Sequence, residues 1–198
     1  MVLYLLLCGL YFAPIAAPHK LFYPLLLLTL CSLRHRSPLL TLAFACSALG
    51  DLFGSLGTLL PQIGAFAMAQ LCYILTLRRL VPKVSLRSIL LAAVLPAVLC
   101  LVTYIAILPT IGAPIIKFGV VGYSLLIGAM VAIALLTGRQ KVGLGAALFV
   151  LSDLLLAFLI FLAPNHTLQS ISLVLYFAGQ LLLWLGITES LQQHTPQV

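Results

Sequence analysis

Two acidic side chains lie inside apolar stretches of this sequence, at positions where a carboxyl group is expensive to keep. Asp51 and Asp153 are two of only three acidic residues in the 198-residue chain. Each lies in an apolar stretch long enough to cross a bilayer. Because a carboxylate in lipid is costly, intramembrane aspartates are candidate functional groups. Two neighbouring carboxyl groups do not both ionise easily, so one is expected to remain protonated as an acid while the other is a base.

The elements that must position these aspartates are membrane-spanning helices. Hydrophobic residues make up 64% of the chain and charged residues 7%, which is more apolar surface than a soluble fold of this length can bury. The alternating pattern of an outer-membrane barrel is absent. We therefore expect an all-α bundle of about eight transmembrane helices that forms a single domain over residues 1–198. The predicted spans are 2–17, 21–33, 38–58, 62–77, 86–108, 114–137, 143–163 and 168–187.

The first predicted span is interpreted as a true membrane helix. No basic residue precedes its apolar run, and no clear small-residue cleavage site follows, as a signal peptide would require.

Basic residues favour one side of this topology. Of the ten Lys and Arg residues, only Lys20 and Lys117 lie towards the opposite side. The positive-inside rule then predicts that both termini are cytoplasmic, in the inner membrane if the source is bacterial. The formal net charge of +7 reflects this topology and contact with anionic lipid headgroups, and no nucleic-acid partner is expected. The biased residues are Arg34, Arg36, Arg78, Arg79, Lys83, Arg87, Arg139 and Lys141.

The two aspartates are predicted to lie at similar depth. Asp51 comes 13 residues after Pro38 and Asp153 comes 10 after Gly143, on spans that run the same way, so their depths differ by about 5 Å. The motif L-G-D-L at 49–52 matches L-S-D-L at 151–154. The motif F-A-M-A-Q-L at 66–71 also resembles Y-F-A-G-Q-L at 176–181. These echoes favour a parallel four-plus-four repeat in which the aspartates face a shared cavity.

A structural role is the alternative for each of these polar groups. Asp51 has Ser47 and Ser55 one turn away, and Asp153 follows Ser152, so each carboxyl group has a local hydrogen-bond partner. Other polar side chains have two interpretations, as site residues or as hydrogen-bonding and packing groups between helices. They are Gln70, Gln180, Tyr73, Tyr104, Tyr123 and Tyr176, of which Tyr123 and Tyr176 are best placed for a site. Glu189 follows the last predicted span and is expected to be solvated.

Neither a cofactor nor a metal ion is expected. The five cysteines are odd in number, scattered over several spans and without C-x-x-C spacing. The histidines fall in predicted loops or the tail, which excludes intramembrane haem ligands, an H-E-x-x-H zinc site and a Ser-His relay at bilayer depth. They are His19, His35, His166 and His194.

Several sequence blocks between about residues 46 and 186 carry a family resemblance. They are L-G-D at 49–51, G-A-F at 64–66 leading to Gln70 and Tyr73, Tyr123 with Met130, G-A-A-L-F-V-L-S-D at 145–153, and Y-F-A-G-Q at 176–180. In this order they resemble the YhhN family of lysoplasmalogenases. The last two blocks are the most specific, because Leu-rich composition alone does not produce them. Family members often carry His in place of Gln70, and a Lys-Pro pair where this chain has Tyr23-Pro24 with Lys20 three residues earlier.

The resemblance implies cleavage of the sn-1 vinyl ether of a lysoplasmalogen, giving a fatty aldehyde and glycerophosphoethanolamine or glycerophosphocholine. Vinyl ethers hydrolyse by proton transfer to the alkene carbon, and water captures the resulting oxocarbenium ion. Asp51 and Asp153 would supply the acid and base. The implied binding residues are Gln70, Gln180, Tyr123 and Tyr176 for water and the glycerol oxygens, and Lys20 or Lys117 for the phosphate.

Three other classes of protein also fit parts of this pattern. A proton-coupled transporter of small molecules or lipids would use the same two aspartates, and it is the main alternative. An intramembrane aspartyl protease also needs two, but A-L-G-D at 48–51 lacks the first glycine of the G-x-G-D motif. A structural or lipid-binding membrane protein is the remaining class.

Overall fold

The computed structural model describes residues 1–14, 19–35 and 37–193, and within these ranges every regular element is helical. Six helical segments are long and apolar enough to cross a membrane, those within 38–55, 59–80, 86–110, 114–136, 140–161 and 166–193. The predicted all-α, multi-pass membrane fold is thereby confirmed. The α-helices are α1 (Val2–Phe12), α2 (Phe22–Ser32), α3 (Pro38–Ser55), α4 (Leu59–Leu77), α5 (Leu86–Val102), α6 (Pro114–Leu136), α7 (Gln140–Phe161) and α8 (His166–Gln193).

The first helix is shorter than predicted, whereas α2 and the 3₁₀ turn Leu33–His35 that follows it cover the short predicted span 21–33. α1 and α2 each have eleven residues, which gives a length of about 16 Å against roughly 30 Å of hydrocarbon. The predicted first span ended at 17, but α1 ends at Phe12, and residues 15–18 lie outside the described part of the chain. Pro14 follows the end of α1 and limits its extension, because the residue before a proline disfavours helical geometry.

The last helix is longer than predicted, and two expectations change with it. α8 begins at His166 and ends at Gln193, so His166 belongs to a helix and not to a loop. Glu189 lies within α8 and not beyond the last helix. Its Oε1 accepts a hydrogen bond from Lys141 Nζ at 2.5 Å, and both side chains remain about half exposed. This ion pair and the bond from Arg139 to Gln193 (3.1 Å) hold the end of α8 against the start of α7. The tail residue His194 lies outside the described residues.

The fifth predicted span is helical throughout but not uniformly α-helical. α5 continues into a π-helical turn at Thr103–Ile107 and a 3₁₀ turn at Leu108–Thr110. Pro96 lies within α5 and lacks the N–H that an internal helical position normally donates. It packs towards Gly128 of α6, where an added methyl group would lie 3.3 Å from Pro96 Cβ. The small residue on α6 thus lets the two helices approach.

The chain divides into two compact units, residues 1–73 and 74–198. The first unit holds α1–α3 and most of α4, and the second holds α5–α8. The prediction of a single domain concerns both units together and stays a prediction.

In each unit, the helix that carries the aspartate contacts the helix that follows it. In the first unit, Phe44 of α3 meets Tyr73 of α4 edge to face, with ring centroids 5.5 Å apart. The predicted repeat aligns Asp51 with Asp153 and Gln70 with Gln180. In that alignment, Phe44 and Tyr73 correspond to positions 146 and 183 of the second unit. There a methyl group at the neighbouring Gly145 would lie 2.7 Å from the Leu183 nitrogen. The four-plus-four repeat stays a prediction.

Candidate active site

The first unit encloses Asp51 among side chains from three helices. The Asp51 side chain is only 5% exposed on α3. Tyr4 of α1 and Tyr73 of α4 are also buried and lie within range of electrostatic interaction with its carboxyl group. The carboxyl group therefore occupies a largely apolar pocket with two phenolic hydroxyls nearby, a setting in which proton transfer is chemically feasible.

The serines beside Asp51 direct their hydroxyl hydrogens elsewhere. Ser47 Oγ donates to the Ala43 carbonyl (3.0 Å), and Ser55 Oγ donates to the Leu52 carbonyl (2.7 Å). Tyr73 makes a side-chain hydrogen bond with Ser47. The hydroxyl hydrogens of both serines are thus bonded to backbone carbonyls of α3.

Gln70 lies on α4 three residues before Tyr73, so the two side chains share one helix face. Both are fully buried. The structure therefore places Gln70 in the interior of the unit that contains Asp51.

In the second unit, Asp153 of α7 is held by a side chain from α6. The hydroxyl of Tyr123 donates a hydrogen bond to Asp153 Oδ2. The helices are joined by a tight turn in which Gly138 has a φ of +67°, a left-handed conformation that favours glycine. This turn brings α6 back along α7 and lets two residues thirty positions apart meet. Tyr123 thus contacts the predicted catalytic group itself.

α8 covers the face of α7 around Asp153. Ser172 Oγ donates to the backbone carbonyl of Ser152 at 2.8 Å, next to Asp153. One turn earlier on α7, Phe149 packs against Tyr176 with ring centroids 5.7 Å apart. Gln180 follows one turn along α8 and is fully buried. The predicted site residues Tyr176 and Gln180 are therefore on the side of α8 that packs on α7.

The two lysines predicted to meet a phosphate have different surroundings. Lys20 is half-buried, and its Nζ donates to the Ala13 carbonyl at 2.9 Å. Lys117 is exposed in the first turn of α6.

Sequence reasoning missed two residues of the first unit. Tyr4 lies in a uniformly apolar run, and nothing local distinguishes it as a neighbour of Asp51. His19 was expected to be an ordinary loop residue, but its Nδ1 lies 2.6 Å from Ser55 Oγ, one turn from Asp51. In the ranges that the structure describes, no three His, Cys, Asp or Glu side chains are grouped as a metal site.

Asp51 and Asp153 belong to different units, and the prediction that they share a cavity stays a prediction. The class of the protein is nevertheless defined: a multi-pass helical membrane protein with an aspartate inside a membrane-length helix in each unit. A comparison with family models is more specific. The model of the YhhN family matches residues 11–187, and the chain belongs to this family. Searches among curated proteins and solved structures gave no match.

Proposed function

We propose that this protein is a lysoplasmalogenase, a membrane hydrolase that cleaves the sn-1 vinyl ether bond of lysoplasmenylethanolamine or lysoplasmenylcholine. Membership of the YhhN family is consistent with this activity. The observation that supports it most directly is the environment of the two aspartates. Each lies inside a membrane-length helix beside tyrosine side chains, and Asp153 accepts a hydrogen bond from one of them. An acid and a base in apolar surroundings are what vinyl ether hydrolysis needs.

The proposed reaction consumes one water and needs no redox partner. A protonated carboxyl group transfers its proton to the alkene carbon farther from the ether oxygen, and the electron pair of the C=C bond forms the new C–H bond. The positive charge is shared between the adjacent carbon and the ether oxygen, and the second carboxylate stabilises it. Water attacks this carbon and gives up a proton to the carboxylate. In the hemiacetal, the second carboxyl group protonates the glycerol oxygen as the C–O bond breaks. The hydroxyl proton passes to the first carboxylate, so the aldehyde forms and both carboxyl groups return to their starting states.

In this proposal Asp51 and Asp153 are the acid and base. The buried Gln70 and Gln180 and the tyrosines Tyr123 and Tyr176 orient water and the glycerol oxygens. Lys20 or Lys117 meets the phosphate as a charge-assisted hydrogen-bond donor.

The decisive test is product analysis with three matched lipids. Purified protein in detergent is incubated with lysoplasmenylethanolamine, its saturated 1-alkyl analogue and its 1-acyl analogue, and aldehyde and glycerophosphoethanolamine are measured by mass spectrometry. We expect aldehyde and glycerophosphoethanolamine from the vinyl ether and neither product from the saturated ether. Absence of aldehyde would contradict the proposal, and so would an equal yield of glycerophosphoethanolamine from the 1-acyl lipid.

The transporter alternative is tested on the same protein in proteoliposomes. Proton-coupled uptake of a solute or lipid without any aldehyde would favour transport, because a transporter uses the aspartates to carry protons without consuming its cargo.

A further inference from the structure

The connection between α1 and α2 holds a histidine in an unusual backbone conformation. His19 has a φ of +53°, and it is the one residue other than glycine with a positive φ in the described ranges. Residues other than glycine rarely adopt this left-handed backbone conformation. Such strain persists only where surrounding contacts maintain it, and it is concentrated at binding and catalytic sites. The contact seen here joins His19 Nδ1 to Ser55 Oγ at the end of α3, at 2.6 Å.

The hydrogen bonds of Ser55 determine which ring nitrogen of His19 faces a ligand. A serine hydroxyl has one hydrogen, and Ser55 donates it to the Leu52 carbonyl at 2.7 Å. Ser55 therefore accepts from His19, whose Nδ1 must carry a proton. In the protonated imidazole Nε2 is a donor as well. His19 is thus anchored through Nδ1 and leaves Nε2 for a ligand, to which Nε2 donates when the ring is protonated.

Lys20 supplies a cationic group next to His19. Its Nζ donates one hydrogen bond to the Ala13 carbonyl at 2.9 Å. An ammonium group has three hydrogens, so two remain for another acceptor. Asp51 is the sole acidic residue of the first unit, and it is buried. The His19–Lys20 corner, defined by these two residues and Ser55, therefore carries positive charge without a neighbouring surface carboxylate and suits a phosphate group.

The distance from this corner to Asp51 matches the geometry of a lysophospholipid. Ser55 lies four positions after Asp51 on α3, on the same face and about 6 Å further along the axis. In the lipid, five bonds separate the phosphorus from the sn-1 ether oxygen, and five bonds of about 1.5 Å at tetrahedral angles also span about 6 Å. A phosphate at the corner therefore leaves the vinyl ether within reach of Asp51.

We propose that His19, Lys20 and Ser55 form the phosphate-binding subsite for a lysophospholipid and place its sn-1 vinyl ether at Asp51. This inference rests on the proposed hydrolase function and chooses Lys20 over Lys117 as the phosphate ligand. It also places the headgroup at the end of α3 opposite its start at Pro38.

The test compares two vinyl ether substrates that differ only in the phosphate headgroup, lysoplasmenylethanolamine and 1-alkenylglycerol. We expect His19→Ala and Lys20→Gln each to lower kcat/KM for the phospholipid about tenfold, the loss typical of a charge-assisted hydrogen bond, with little change for the alkenylglycerol. Lys20→Arg keeps the charge and should retain most of the preference. The matched controls are His166→Ala and Lys83→Gln, which alter an exposed histidine and an exposed lysine of the second unit and should affect neither substrate. Lys117→Gln tests the other candidate lysine.

Unchanged phospholipid preference in both His19→Ala and Lys20→Gln would overturn the subsite. An equal loss of preference in Lys117→Gln would overturn the choice of lysine. If His19→Ala does not fold, Lys20→Gln against Lys20→Arg decides the question, and activity on 1-alkenylglycerol shows that the variant is folded.

A binding measurement separates the subsite from the hydrolase proposal. The saturated 1-alkyl lysophosphatidylethanolamine and 1-alkylglycerol are titrated onto the wild-type protein and onto Lys20→Gln and Lys117→Gln. Binding of the phospholipid that only Lys20→Gln weakens would support the subsite even if no aldehyde is ever formed. Equal affinity for both lipids would overturn it. Saturable binding of inorganic phosphate at the same corner, without binding of the lysophospholipid, would also overturn it.

Discussion

Tyrosine hydroxyls accompany both aspartates, each within its own unit. Tyr123 donates directly to Asp153, whereas Tyr4 and Tyr73 lie on two other helices within electrostatic range of Asp51. A carboxyl group in lipid-facing helices is costly unless polar groups compensate it. Residues held in this way are suited to chemistry, because their orientation is set before a substrate arrives.

Replacement of either aspartate by asparagine should abolish aldehyde release. Asn keeps the size and much of the hydrogen bonding of Asp but exchanges no proton, and the loss of a positioned acid or base commonly costs about 10²–10⁴ in rate. Because the two groups act as a unit, the double variant should be little slower than Asp51→Asn or Asp153→Asn alone. Turnover is measured by mass spectrometry at equal amounts of folded protein. Near wild-type turnover in either variant would show that the replaced aspartate is structural and is not the acid or base.

Loss of the Tyr123 hydroxyl should slow catalysis with little effect on KM. Tyr123→Phe keeps the ring but removes the donor to Asp153, and a hydrogen bond to a charged group is worth about 10- to 100-fold in rate. The control is Tyr104→Phe, since Tyr104 is 70% exposed in the π-helical turn after α5. Steady-state kinetics across a pH series are measured for both variants.

A Tyr123 hydroxyl that only supports folding would give a different result. The thermal midpoint of Tyr123→Phe would fall while kcat and the pH profile of the folded fraction stayed at wild-type values. That result, or an equal fall of kcat in Tyr104→Phe, would rule out a positioning role.

At the scale of elements, α7 and α8 are the most closely packed pair in the second unit. A methyl group added at Gly145 would lie 2.7 Å from the Leu183 nitrogen and 2.9 Å from the Gly179 carbonyl oxygen. These are backbone atoms, so a larger residue forces the helices apart. Close approach at small residues is a common way to associate helices in a membrane, where lipid removes the hydrophobic driving force.

Gly145→Ala and Gly179→Ala should each lower thermal stability by about 1–3 kcal/mol, the usual cost of overpacking. Gly122→Ala on α6 is the matched control, because an added methyl group there meets no atom within 4 Å. Since alanine favours helices over glycine, the control should leave the melting midpoint unchanged or slightly raised. The chain has one tryptophan, Trp184 on α8, whose fluorescence reports unfolding at this helix pair. Equal midpoints for all three variants would show that the α7–α8 contact tolerates separation.

At the scale of the whole molecule, the distribution of basic residues predicts which membrane face each connection meets. In a background without the five native cysteines, Ser85→Cys and Gln140→Cys should resist an impermeant maleimide added to intact cells, because their loops are rich in Lys and Arg. Gly112→Cys and Ala163→Cys, in connections towards the other side, should react. Protection of the second pair and labelling of the first would reverse the orientation, and both termini would then lie outside.

The sequence alone determined the class of the protein, the approximate positions of its helices and its family. Length and apolarity are local properties, so Pro38, Leu86 and Pro114 could be recognised as the first residues of α3, α5 and α6. The aspartates were equally visible, because a charge in an apolar run contrasts with its neighbours.

The partners of these residues were decided only by the tertiary structure. A Leu-rich helix is apolar on every face, so its sequence does not encode how it is rotated against its neighbours. For that reason the hydrogen bond from Tyr123 to Asp153, the approach of Tyr4 to Asp51 and the pairing of Lys141 with Glu189 were not predicted. The contact of His19 with Ser55 was hidden for the same reason, since thirty-six residues separate the two. Contacts between distant segments arise when helices pack, and the packing sets the chemistry that each side chain can perform.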